Sequence, residues 1–244
     1  MGNTISGLVR GSNGKIVRIG DKFIRSTYTP IPTNGLIGYY KFEQNFEDSG
    51  TGHNDLNEAG SNGWGWTNGK RGIGVKSTYS TSDRKTAYGN ATINALFSGP
   101  SLSVSLWAIW DQQTGAGNQS AWRVDESDWN LYQGGTPSAG RWEVKIRNSG
   151  TTVFINGINH VIDENYEHLV VTFDQDISIC TLYRNSVVDG SVYVPGVPQG
   201  GIFSVVNVYP GAVTSLSDID ELMIYDRVLS LDEIEDLYNN GSGI

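Results

Sequence analysis

From residue 34 onward, short apolar runs recur between clusters of glycine, asparagine, serine and proline. The runs are LIGYYKFE, SLSVSLWAIW, RWEVKIR, TTVFING, HLVVTFD, SICTLYRN and DELMIY. Within SVSLW, small polar and apolar residues alternate, the period-two pattern of a half-buried antiparallel strand. One segment breaks this rhythm. Ser230 and Glu233 form an S-x-x-E capping box, and Leu229 and Ile234 occupy the staple positions beside it. Leu231, Ile234, Leu237 and Tyr238 then give one apolar stripe, and Gly241 ends the run. The spacing predicts a short helix with Asp232, Glu233, Glu235 and Asp236 on its solvated face. The pattern as a whole predicts an all-β sandwich of about ten to fourteen strands with that one helix near its C-terminal end.

Upstream, TYTPIPTNG (residues 27–35) packs two prolines and a glycine into nine residues and marks a boundary. Before it, ISGLVRG and KIVRIGDKFIRST are β-rich runs separated by the turn signal GSNG. A lone hairpin is marginal in water. Residues 1–33 are therefore expected to be an N-terminal β-arm, ordered by a partner, by other copies of the chain or by the main body. Residues 34–244 form the domain proper.

Charge sharpens that division. The arm holds Arg10, Lys15, Arg18, Lys22 and Arg25 against Asp21, a net +4, inside a chain whose formal charge is −9. The acidic body repels nucleic acid and anionic membrane, and the arm suits docking on something acidic. A single cysteine, Cys180, excludes an internal disulfide framework, and its run ISICTLY reads as a strand that buries the thiol. No stretch is apolar enough to cross a membrane as a helix, and the first residues lack the apolar core of a secretion signal. MGNTIS matches the short myristoylation pattern only formally.

Several of these residues carry a resemblance. NGLIGYYKFEQNFEDSGTGHNDL is similar to the first strand and loop of laminin-G-like, concanavalin A-like jelly-roll domains. SLSVSLWAIW, YEHLVVTFD and IDELMIYDRVLSLDEIEDLY resemble three later segments of the same family, the last one most specifically. The likeness covers roughly residues 34–240, loosely over 57–98 and 111–150. Thr51, Asp55, Tyr166 and the hairpin LYRNS depart from the family pattern. The resemblance implies a sandwich of two antiparallel sheets that binds sugars or proteins, often with one structural calcium ion. It also implies an ion site built from Asp48, His53 through its carbonyl, Asn54 and Asp220. Asn- and Asp-rich turns form without any ion, so an ordinary Asx turn is the competing reading of DSGTGHND.

Catalytic chemistry finds little support. Glycanases of this fold place an E-x-D-x-x-E strand beside the scissile bond. Here Asp218 and Asp220 are followed by Met223 in the last position, and Glu126 and Asp128 by Leu131. His53, His160 and His168 lie in unrelated contexts, no G-x-S-x-G elbow occurs, and Cys180 has no partner thiol for zinc. His168 reads as a strand residue, and Trp107, Trp110 and Trp142 as core. Candidate ligand platforms are Trp64 and Trp66 in NGWGWTNG, with Trp129 and Tyr132 in DWNLYQGG as a second pair. Trp64 and Trp66, two residues apart, share a face if extended; a loop packed on the sandwich is the alternative.

The sequence therefore predicts a non-enzymatic module that binds a glycan or protein surface. Its basic arm, the absence of a recognisable signal and the lone cysteine favour a phage virion component of capsid, tail or fibre, docked through residues 1–33 to virion proteins or to copies of itself. A secreted bacterial lectin-like module, working outside the cell, is the alternative.

Overall fold

The computed structural model describes residues 30–59, 64–77, 86–110, 119–124, 129–133, 140–148, 150–158, 165–205 and 217–243. The arm expected over residues 1–33 lies almost wholly outside them. In chain order the first strands are β1 (Leu36–Tyr40), β2 (Asn57–Ala59), β3 (Trp64–Asn68), β4 (Ile73–Ser77) and β5 (Thr86–Tyr88). After helix α1 (Ala91–Leu96) come β6 (Ser101–Trp110), β7 (Gln119–Val124), β8 (Trp129–Gln133), β9 (Trp142–Asn148) and β10 (Thr151–Asn156). The chain closes with β11 (Glu167–Asp174), β12 (Ile179–Arg184), β13 (Val187–Tyr193), β14 (Phe203–Val205), β15 (Ser217–Tyr225) and helix α2 (Leu231–Tyr238).

These strands make two antiparallel sheets, as the alternating pattern requires. The first runs β13-β12-β11-β6-β15-β4-β3, with β1 also paired to β15. The second runs β10-β9-β8-β7-β14-β5-β2. Between them lies a core in which Trp122, Trp129, Trp142, Tyr40, Phe42, Phe97, Phe173 and Phe203 are fully buried. Cys180 is buried there too, and burial drives its thiol pKa up, as an inert small hydrophobe should behave.

A polar strap crosses that core. Glu167 on β11 accepts bonds from the Arg184 guanidinium on β12 and, through its other oxygen at 2.7 Å, from the indole N–H of Trp142 on the opposite sheet. A buried charge is tolerable only when paired in this way.

Helix α2 covers the outer face of the first sheet. Ile234, Leu237 and the staple residue Leu229 pack with Tyr39, Val170, Met223 and Tyr225. Ser230 caps the helix, and the reciprocal bond from Glu233 completes the capping box. Glu233 is more than a solvated acid. It also takes a bidentate pair from Arg227, which holds its carboxyl down at about 2. Leu231 is exposed and does not belong to the apolar stripe, and the helix stops at Asn239 in the left-handed conformation, two residues before Gly241. Among the described residues no helix is long and apolar enough to cross a membrane.

Helix α1 escaped the sequence reading. Its six residues include β-branched Thr92 and Ile93 and no acid in the first turn, so only the Asn90 cap signalled it. Trp142 is core as expected. Trp107 is buried, but on the outer face of the first sheet, stacked on Tyr238 and tilted against His168. Of Trp110, only the backbone position in β6 is described.

Candidate functional site

The sequence placed the acids of β15 at the centre of any site, so their seats come first. Strand β15 has one edge shared by two partners: Asp218 and Ile219 pair with β4, whereas Leu222 to Tyr225 pair with β1. The switch is made by a bulge between Asp220 and Met223, with Glu221 at φ +51°. One extra residue breaks the alternation, so Ile219, Leu222 and Ile224 all face the core. Asp220 pairs with Trp107 on the outer face, where that bulge seats it away from Leu222 and Ile224, whose face strict alternation would have given it.

Asp220 is fully buried. Its two oxygens accept the backbone N–H groups of Arg71 and Glu221, each at 2.8 Å, and burial pushes its carboxyl up to about 7. Gly69 has no side chain because a Cβ there would stand 2.5 Å from that carboxylate. Glu221 accepts the phenol of Tyr39, and burial raises its pKa also.

The residues proposed for calcium separate into two groups. Asp48 is buried in the β1–β2 loop, where its carboxylate accepts the N–H groups of Tyr39, Gly50 and Asn54 at 2.8–2.9 Å. Asn54 donates to the Ile37 carbonyl and accepts from Asn90, and His53 is exposed at φ +51°. Asp220 belongs instead to the β3–β4 turn and the bulge. Every carboxylate oxygen of Asp48 and Asp220 is already occupied by backbone donors, and among the described residues no group of three or more His, Cys, Asp or Glu is placed to hold a metal ion. Backbone N–H donors thus hold both carboxylates, in the manner of an Asx-type turn at Asp48.

The acids that resemble a glycanase motif are committed as well. Asp218 pairs with Lys76 at 3.5 Å and Asp220 has no exposed surface, while Glu126 and Asp128 lie outside the described residues. His168 is buried on β11 with its Nε2 2.9 Å from the Ser105 hydroxyl, and burial drives its pKa down to about 3. It is a neutral structural residue. His160 is outside the described residues.

The aromatic candidates divide sharply. Trp64 and Trp66 form β3 itself, the edge strand of the first sheet, where a glycine-rich loop was expected. They face the same way and are half-buried, at the open margin of the core. Their rings stand 4.9 Å apart, tilted by 68°, and Phe46 from the β1–β2 loop packs against both at 4.9 and 5.4 Å. Phe46 went unnoticed because nothing in NFEDSG marks it as the third ring of a cluster formed across residues distant in sequence.

Trp129 and Tyr132 lie on β8 rather than in a loop, and the structure corrects their role. Trp129 is fully buried against Phe97, Trp122 and Phe173, which leaves no ring face for a sugar. Tyr132 is buried on the outer side of the second sheet and hydrogen-bonds Glu143.

Comparison with known proteins agrees with this architecture. A family model described as concanavalin A-like lectin/glucanases superfamily matches residues 83–235, more than half of the chain. A search of curated proteins finds no match. Among solved structures, the chain is similar to the binding domain of Paraclostridial Mosquitocidal Protein 1, with a TM-score of 0.67 and 16% identity over 85% of this chain and 52% of that one. It is also similar to the binding domain of botulinum neurotoxin DC in complex with rat synaptotagmin II, with a TM-score of 0.62 and 12% identity over 84% and 51%. A third similar structure, from work on botulinum neurotoxin type C entry dependent on two ganglioside molecules, gives 0.62 and 14% over 84% and 51%. The chain thus spans about half the length of these structures, and identities this low speak for the fold alone.

Proposed function

The chain belongs to the concanavalin A-like lectin/glucanase superfamily, and from that premise we propose that it is a non-enzymatic module that binds a glycan or protein surface. The observation that carries this reading is the aromatic edge. Trp64 and Trp66 present half-buried rings, packed on the buried ring of Phe46, along a strand whose outer edge is unpaired among the described residues. Aromatic rings kept partly exposed at a sheet margin suit stacking on a pyranose face or packing against a partner's apolar side chains. Binding domains of the same shape support the class, since one such structure holds synaptotagmin II and another concerns gangliosides. Of the acids nearest to a glycanase pattern, Asp218 is ion-paired and Asp220 is buried, so these two do not offer a pair of free carboxyls to one glycosidic bond.

In its finer form the proposal places the module on a phage virion, docked through residues 1–33 with their net charge of +4. An extracellular lectin-like module remains the alternative. A glycan microarray probed with the wild type and with Trp64→Ala and Trp66→Ala variants tests the first part. Binding that both variants lose, at unchanged melting temperature, sustains it, and absence of any binding to glycans or to cell surfaces refutes it. Deleting residues 1–33 tests the second: a folded monomer that no longer assembles with virion proteins supports docking, and an unfolded body would sink it.

A further inference from the structure

Helix α2 covers only part of the outer face of the first sheet. It packs over β1, β15 and β11, on Tyr39, Met223, Tyr225 and Val170. The outer face of β12 and β13 lies beside it, bare among the described residues. Cys180 and Leu182 face the core, so Ile179, Thr181 and Tyr183 face outward. Cross-strand pairing sets Tyr193, Ser191 and Val188 beside them in that order. Tyr193 is 61% exposed and Val188 50%, and none of these six side chains is charged. Leu231, itself exposed, extends the strip. It lies about 160° round the helix from Glu233, whose Arg227 partner reaches back to the Asn34 carbonyl before β1, so Leu231 is on the flank towards β12.

An uncharged apolar strip of this kind marks a surface that something covers, and the chain itself supplies a cover. The described residues begin at Pro30, and Ile31 already packs on the outer-face cluster that Tyr183 joins. The residues before it therefore enter on the same face as the strip. The run KIVRIGDKFIRST ends at Thr27, just short of that entry, and carries Ile16, Val17, Ile19, Phe23 and Ile24. Extended, the run spans about 40 Å, against about 13 Å from Ile179 to Tyr183 along β12. Charge fits as well. The run holds Lys15, Arg18, Lys22 and Arg25 against Asp21, and the strip is bordered by Asp174 and Asp176 next to β12 and by Glu235, one turn after Leu231 on the same flank of α2. A segment tethered this close docks at high effective concentration, so modest contacts hold it.

We infer that residues 15–27 cover the outer face of β12 and β13 of their own chain, with their apolar side chains on Tyr183, Val188 and Tyr193 and their cations towards the bordering acids. The upstream run ISGLVRG stays available for docking on another protein, and the inference stands apart from what the aromatic edge binds. The test uses the full chain with a benzophenone amino acid in place of Tyr193, irradiated in dilute solution, digested and mapped by mass spectrometry. The same probe in place of Thr152, exposed on the outer face of the second sheet, is the control. The probe at Tyr193 is expected to join a peptide from residues 15–27 within the monomer band, and the probe at Thr152 is not. Combining the Tyr193 probe with Ile19→Asp and Phe23→Asp should cut the yield of that link several-fold while the body keeps its cooperative melt. The same link found in a cross-linked dimer would give the strip to the arm of a second copy and overturn the assignment to the same chain. Links from Tyr193 only to its strand neighbours, or to any other segment, would overturn the inference outright.

Discussion

Replacing Asp220 with asparagine isolates the cost of a buried carboxylate at the β15 bulge. Its folded pKa, raised to about 7, exceeds the unfolded value of 3.8, so the folded state binds the extra proton between those limits. The penalty is therefore absent below about pH 4, grows as pH rises, and is complete above about pH 7. At 1.36 kcal/mol per unit, three units amount to on the order of 4 kcal/mol. Glu221 adds in the same direction, because burial raises its pKa too. His168 works the other way. Its pKa is lowered to about 3, so the fold loses stability as pH falls from about 6.5 towards 3. Between about pH 4 and 6.5 these slopes oppose each other, and above that window the acids act alone. Urea unfolding in EDTA from pH 4 to 9 should show wild-type stability level or falling between about pH 4 and 6.5, falling further to about pH 7, and level above it. The variant gives up one backbone acceptor at every pH, but it should lose most of that decline. Parallel curves for the two proteins would refute the reasoning. A wild-type decline that millimolar calcium abolishes would mean that an ion, rather than protonation, relieves the charge.

Other perturbations follow from the same contacts. Glu167→Ala strands the Arg184 guanidinium inside the core and should cost about 3–5 kcal/mol, whereas a Glu167→Met, Arg184→Met double variant should recover most of it; urea midpoints decide. Gly69→Ala drives a methyl into the Asp220 carboxylate and the adjacent turn, and a loss of about 1–3 kcal/mol is expected by thermal melting. Ser230→Ala removes the α2 cap and should lower stability by about 0.5–2 kcal/mol, while Asp232→Asn on the exposed side should change it little.

The fold was legible where the pattern is local and periodic. Alternation in SVSLW, the Ser230–Glu233 box and the staple at Leu229 and Ile234 each report a contact made within a few residues, and each is present. What could not be read depends on long-range register. A bulge of one residue reversed the face of Asp220, and no residue in DIDELMIY announces it except an acid at positive φ. Trp129 in DWNLYQGG carries the polar neighbours of a loop, yet β8 lies centrally in the second sheet and turns it inward. The ion-binding pattern at Asp48 is chemically the same as a carboxylate capped by backbone N–H groups, and only geometry tells them apart. Phe46 was invisible for the same reason, since it acquires meaning from a strand distant in sequence.

The most direct test of the central claim is to capture the strongest glycan ligand on the immobilised protein and to weigh the eluted glycan by mass spectrometry after prolonged incubation. A binding module retains the glycan and releases it with unchanged mass. Shortened products, or a glycan that is never retained, would contradict the assignment of this sandwich as a module that binds without reacting.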